Sequence, residues 1–312
     1  MDRSSPKIVL FLGILAVSTA SPLIRFAQGE VSSLVIAAYR MGFAALILLP
    51  LTIPRYTGEI RKLTRGDLAL GVLSGLLLAL HFATWILSLE YTSVASSVVL
   101  VTTNPLWVAL LAPWLLKERL APGFLVGLFV ALAGGSIVAI SDSCLQKATG
   151  LACPPLSDFI QGEAFWGDML ALMGAWTGAG YILIGRRLRA SFSLTPYVLL
   201  VYGAAAVVLI AMVALSGLPI LGFPTEIYGY LLLLAIVPQL LGHSSLNWAL
   251  GHLPASYVSI GLLGEPVGST LLAYFLLGET PGWLKILGAT LILCGILYAT
   301  LRPSSKRMAV YN

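Results

Sequence analysis

Charge is what this chain has least of: Asp, Glu, Lys and Arg make up 10% of its 312 residues, against about 25% in ordinary soluble domains. A water-soluble globule is thereby excluded, because 58% of the chain is hydrophobic and too few charges remain to solvate its outside. Catalytic motifs are missing as well. There is no phosphate-binding Gly-rich loop, no His-Glu-x-x-His and no Gly-x-Ser-x-Gly. Without a nucleotide-binding domain ATP cannot be the direct energy source, and neither cofactor nor metal is expected. No run resembles a phosphate site lined by arginine and lysine, which disfavours phosphorylated substrates. The net charge of +5 does not signal nucleic acid, because the basic residues stand at the ends of apolar runs rather than on one face. A cleaved leader is not expected either. The first apolar run, Lys7–Ala27, exceeds the about 7–15 residues of a signal-peptide core and reads as a retained helix.

What is abundant is apolar sequence in pieces of one length. A helix needs about 20 apolar residues to cross the hydrocarbon core. Ten runs qualify: Lys7–Ala27, Val31–Pro54, Gly66–Tyr91, Ala95–Lys117, Pro122–Ser141, Ala164–Arg186, Ser193–Ser216, Thr225–Leu250, Pro254–Leu277 and Pro281–Thr300. The expected fold is an all-α membrane protein of ten transmembrane helices. With the N-terminus inside, fourteen of the eighteen Lys and Arg residues fall on the inner side. Only Arg25, Lys147 and Lys285 fall outside, and Arg40 lies within the second run. The positive-inside rule then puts both termini in the cytoplasm of a bacterial cell, with the protein a multi-pass component of its inner membrane. The one long connection, from Asp142 to Glu163, reads as an ordered outer loop. Its Cys144 and Cys153 would either pair in an oxidising periplasm or remain free thiols. Cys294, in the last run, reads as a small packing residue.

The chain also repeats itself. At an offset of 161 residues, Asn104–Glu118 registers without a gap on Glu265–Glu279: Pro105 meets Pro266, Leu110-Leu111-Ala112 meets Leu271-Leu272-Ala273, and Glu118 meets Glu279. The same offset pairs Gly13 with Gly174, Arg25 with Arg186, Gly127 with Gly288 and Gly134 with Gly295. One constant offset in Pro, Glu and Gly marks a duplication. Five spans per half is an odd number, so the second half enters from the opposite side. The expectation is a 5+5 inverted repeat: residues 1–143, an outer loop 144–163, and residues 164–312 with a cytoplasmic tail. Such halves can exchange conformations and open a central site to each side in turn.

Leu115-Leu116-Lys117-Glu118-Arg119 and Leu276-Leu277-Gly278-Glu279 resemble the paired helix endings of the drug/metabolite transporter superfamily, EamA type. Gly167–Leu172, leading to Trp176, Tyr181 and Arg186-Arg187, resembles it too, as does Tyr39-Arg40 in the second run. The resemblance covers nearly the whole chain. Within the superfamily the chain is similar to YddG-like exporters of aromatic and other neutral amino acids, which also pass organic cations. Two departures stand out: Asn104-Pro105 where relatives often carry Ser-Pro, and Ala16-Val17-Ser18 in place of Trp-Gly-Ser.

Polar residues deep in a span are costly and so are candidates for the substrate path. His81 and Trp85 are four apart and share a helix face, and His243 and Asn247 repeat that spacing. Asn104 and Glu265 occupy equivalent points of the repeat, each before a proline that frees a carbonyl and can bend the helix. Trp176 and Tyr181 complete the set, with Trp176 the favoured aromatic contact. Each has a structural reading as well. A neutral histidine can serve a carbonyl, Trp85 and Trp107 can be packing residues, and Glu265 can be protonated and structural or couple transport to protons. Arg40 reads as the partner of a carboxylate or of carbonyls between helices. Together the candidates would line a cavity with aromatic faces, amides and one carboxylate, suited to flat side chains and organic cations. The expectation is alternating-access export of aromatic or neutral amino acids and similar small amphipathic metabolites. A multidrug cation or nucleoside cargo is the alternative within transport; other classes are a lipid-modifying membrane enzyme or a receptor subunit without flux.

Overall fold

The computed structural model describes residues 6–115, 123–143, 145–147, 150–152, 155–253 and 255–301. About 85% of the described residues are helical. In chain order the helices are α1 (Pro6–Ser18), α2 (Ala20–Gln28), α3 (Ser33–Ile60), α4 (Arg65–Tyr91), α5 (Val94–Val101), α6 (Asn104–Leu115) and α7 (Phe124–Ser143). After a small antiparallel hairpin, β1 (Leu145–Lys147) with β2 (Gly150–Ala152), come α8 (Leu156–Gln161), α9 (Glu163–Arg189) and α10 (Leu194–Ser216). Then follow α11 (Thr225–Leu234), a π-helical segment (Ala235–His243), α12 (Ser244–Leu250), α13 (Ala255–Gly261), α14 (Gly264–Leu277) and α15 (Trp283–Leu301). Eight spans are long and apolar enough to cross a membrane, some of them built from two or three of these pieces. Two shorter apolar stretches, Val126–Val138 and Trp283–Tyr298, lie within α7 and α15. Ten expected runs thus correspond to eight full spans and two short apolar stretches among the described residues. Cys144, Cys153 and the sequence from Leu116 to Pro122, which includes Glu118, lie outside them.

Several expected single helices are broken, and proline explains each break. Proline has no N–H and its ring displaces the carbonyl four residues back. Pro22 therefore frees the Ser18 carbonyl, and the first run divides at Thr19. The Ser269 hydroxyl, from α14, donates to that carbonyl at 3.0 Å. Pro105 and Pro266 act alike in the fourth and ninth runs, which divide at Thr102-Thr103 and Leu262-Leu263. Pro238 lies inside the π-helical segment, where the wider coil absorbs the missing bond. Other ends are set by ordinary caps. Thr64 and Asp67 form a reciprocal capping box at the start of α4. Gly217 and Gly278 end α10 and α14 at φ of 65° and 68°, a left-handed conformation that costs glycine nothing.

Large apolar side chains such as Phe11, Leu46, Phe129, Val207, Leu215 and Phe275 point outward, where hydrocarbon is the solvent. Lipid is as apolar as leucine, so burial of area alone does not drive the helices together; close backbone approach does. The tightest pairings are α7 with α15 and α4 with α9. A Cβ on Gly134 would stand 2.6 Å from the Gly288 carbonyl oxygen, and one on Gly288 2.7 Å from the Gly134 oxygen. A Cβ on Gly295 would stand 2.7 Å from the Gly127 oxygen. The two ends of the bundle are tied by polar contacts. At one end Arg25 donates to the Thr92 carbonyl at 3.0 Å and pairs with Glu279 at 3.5 Å. Glu279 in turn accepts from the Val94 amide that starts α5, at 3.0 Å. At the other end Arg186 donates to the Leu250 carbonyl at 2.7 Å and Arg189 to the Asn247 carbonyl at 3.1 Å.

Because backbone cannot yield as a side-chain tip can, Gly134→Ala is expected to cost about 1–3 kcal/mol through overpacking. Thermal unfolding in detergent should show a lowered midpoint for Gly134→Ala. Gly203→Ala, inside α10 where an added Cβ meets nothing within 4 Å, should not lower the midpoint and should raise it slightly, since alanine is the better helix former.

Candidate functional site

One of the largest fully buried side chains is a cation. Arg40, on α3, is 0% exposed. An arginine survives there because its guanidinium is held on two sides: Nε donates to Gln239 Oε1 at 2.9 Å, and the group lies over the Phe82 ring with Cζ 4.1 Å from its centroid. The Trp85 ring stands farther off, at 5.9 Å. Gln239 belongs to the π-helical segment, so the segment that absorbs Pro238 also supplies the amide that meets Arg40.

His81, Phe82 and Trp85 come from α4 and face the same space. The His81 ring stacks on Trp85 at 6.0 Å and stands edge-on to His243 at 6.5 Å. Phe82 meets His243 at 5.3 Å. His81 is anchored by a hydrogen bond between Nδ1 and the Gly174 carbonyl, 2.8 Å long. Because a carbonyl only accepts, Nδ1 carries a proton. Asn104, at the start of α6, lies beside it: a Cβ on Gly178 would meet His81 Nδ1 at 2.9 Å and the Asn104 amide at 3.2 Å. With its amide nitrogen turned toward acceptors, Asn104 donates to the Ala175 carbonyl at 2.6 Å and to the Val101 carbonyl at 3.1 Å. The second of these is the carbonyl that Pro105 frees.

A tyrosine–amide network closes the cluster. Asn247 Nδ2 donates to the Tyr181 hydroxyl, to the Tyr202 hydroxyl at 3.2 Å and to the His243 carbonyl at 2.9 Å. Tyr202 also meets Ser244 at 3.3 Å. Glu265, half-buried at the start of α14, interacts electrostatically with Arg40 without an ion pair between them.

The structure brings together six of the eight residues singled out from sequence, His81, Trp85, Asn104, Tyr181, His243 and Asn247, and Glu265 is linked to them by its electrostatic interaction with Arg40. Trp176 stands apart. It is 51% exposed, on the outward stripe of α9 with Trp166 and Met173, and packs edge-on against Trp107 at 5.1 Å. Phe82, Tyr202 and Gln239 were not singled out. For Gln239 a signal existed, an amide deep in an apolar run directly after a proline. Phenylalanine and tyrosine in so apolar a chain carry no such signal.

A bundle of apolar spans around a buried polar cluster is the build of a multi-pass membrane protein. Comparison with known proteins gives the family. The EamA-like transporter family matches residues 5–140 and 165–301, and the chain belongs to it. Among relatives, the uncharacterized transporter YyaM of Bacillus subtilis is 25% identical over 283 residues, covering 89% of this chain and 88% of that one. An uncharacterized transporter of Archaeoglobus fulgidus is 22% identical over 96% of this chain and 98% of its own. A solved crystal structure shares the fold, with a TM-score of 0.64 at 22% identity over 97% of this chain and 98% of that one.

Asn247→Ala should strand the two tyrosine hydroxyls it serves, at a cost of about 1–3 kcal/mol if they find no new partner. The checkable result is a lowered unfolding temperature, with wild-type behaviour for a substitution at outward-facing Val207.

Proposed function

We propose that this transporter exports aromatic and neutral amino acids, and similar small amphipathic metabolites, across a bacterial inner membrane by alternating access. The observation that carries the reading is the enclosed cluster of charge, amide, imidazole and aromatic face. Arg40, His81 and Trp85 of the first half meet Gln239, His243 and Asn247 of the second. A soluble amphipathic solute needs this mixture: ring faces for its side chain, hydrogen-bonding groups for its polar end.

The mechanism rests on two inverted halves of five helices each, and contacts repeated at the 161-residue offset support that reading. Gly13 packs on Ser245, and its counterpart Gly174 packs on Thr84, the counterpart of Ser245. Gly134 packs on Gly288 while their counterparts Gly295 and Gly127 pack on one another. Partners exchanged in this way are what a twofold relation between the halves produces. Arg25 and Arg186 each hold a carbonyl near the end of another helix, at opposite ends of the bundle. The two stretches matched by the family begin 160 residues apart. We take the Arg25–Glu279 end to be the outer one and both termini to be cytoplasmic. Proton coupling, if present, would use Glu265.

Reconstitution in liposomes tests the function. Labelled phenylalanine should exchange across the membrane, and no flux of any amino acid would remove the reading. A proton gradient that leaves the flux unchanged would mark a facilitator and release Glu265 from coupling. His81→Ala should reduce flux more than Trp176→Ala, since only His81 lies in the enclosed cluster. In a background without native cysteines, Leu218→Cys should react with an impermeant maleimide in intact cells, and Lys62→Cys only after permeabilisation. The reverse pattern would invert the topology.

A further inference from the structure

Arg40 uses one of its three guanidinium nitrogens. Nη1 and Nη2 are buried and find no hydrogen-bond partner among the described residues. Trp85 Nε1 is a buried donor in the same condition, and Gln239 Nε2 makes no hydrogen bond of ordinary geometry, with the Tyr202 hydroxyl its nearest interaction. The orientation of the Gln239 amide is fixed by the oxygen that accepts from Arg40 Nε, so its free atom is the donor. These groups donate; elsewhere in the cluster His243 Nδ1 and one acceptor, Asn247 Oδ1, are also buried and unpaired. Leaving such groups unpaired inside a protein costs far more than a hydrogen bond usually contributes, and a planar guanidinium edge matches the two oxygens of a carboxylate. Phe82 covers one face of that guanidinium, which leaves the fork of nitrogens as its remaining polar edge. On the side of α14 stands the Glu265 carboxyl, within electrostatic reach of Arg40 but forming no ion pair with it. A guanidinium and a carboxyl group held apart inside one bundle are complementary to a molecule carrying both a carboxylate and an ammonium group.

We propose that Arg40, with Gln239 Nε2 and Trp85 Nε1 beside it, binds the carboxylate of the transported amino acid, and that Glu265 receives its ammonium group. The site thus reads the zwitterion, while the His81, Phe82, Trp85 and His243 rings meet the side chain. This deepens the export reading and rests on it. It adds a prediction that export alone does not make: cargo with only one of the two charges is rejected, so the organic-cation alternative is disfavoured at this site.

The test is competition against labelled phenylalanine exchange in proteoliposomes. The competitors are unlabelled phenylalanine, phenethylamine (no carboxylate) and 3-phenylpropanoate (no ammonium). Wild-type protein should take at least tenfold more of either single-charge analogue to reach half-inhibition. Arg40→Lys keeps the charge and loses the fork, and should reduce the discrimination against phenethylamine. Glu265→Gln should do the same for 3-phenylpropanoate alone. Should Arg40→Lys fail to fold, the wild-type series still decides. Equal competition by phenethylamine and phenylalanine would overturn the proposal while leaving amino-acid export standing. Absence of any phenylalanine flux, with phenethylamine carried instead, would remove both.

Discussion

Inside hydrocarbon a freed backbone carbonyl or amide has no water to bond to, so every break in a helix must be answered by another part of the protein. This chain breaks its spans at Pro22, Pro105, Pro238 and Pro266, and the answers organise its interior. Ser269 crosses to the Ser18 carbonyl released by Pro22 and so ties α14 to α1. Asn104 turns back to the Val101 carbonyl released by Pro105 and reaches on to Ala175 in α9. Thr102 and Thr103 bond to carbonyls of the preceding turn. The breaks therefore cost little in satisfied bonds, and they place polar side chains at mid-span where an unbroken helix would have none.

Arg40 is the largest beneficiary. A guanidinium without water is stable only where aromatic faces and amides replace its hydration. Phe82 and Gln239 do so here, from two different halves of the sequence. The π-helical segment that carries Gln239 also turns His243 toward Phe82 and His81. Backbone distortion, buried cation and aromatic cluster are thus one arrangement.

How far this could be read in advance depended on the kind of signal. Membrane placement was plain, because length and composition of apolar runs do not depend on packing; the constant offset in Pro, Gly and Glu, on which the proposed duplication rests, is likewise read without it. The histidines, Asn247 and Tyr181 were recognisable because a polar group in a span has few reasons to be there. The breaks at Asn104-Pro105 and Glu265-Pro266 followed from proline chemistry, whereas the π-helical segment did not, since one proline can kink, break or widen a helix. Trp176 shows where the method ends. On α9 it has the spacing of a span residue, but periodicity does not say which side of a helix meets its neighbours. The small residues Gly174, Gly178 and Ala179 take the inner face, and the tryptophan falls to the outer one. Arg40 could be read only as a partner of something; that it would keep two nitrogens free depends on how four helices meet.

The crossed glycine contacts between α7 and α15 bear on how such a sequence can drift. Each helix presents its bare backbone to the other, so a methyl group gained at position 134 is felt at 288, and one gained at 295 is felt at 127. Segments far apart in the gene are thereby bound to a common fate. Elsewhere each helix can drift by itself, yet along this seam neither is free to change alone.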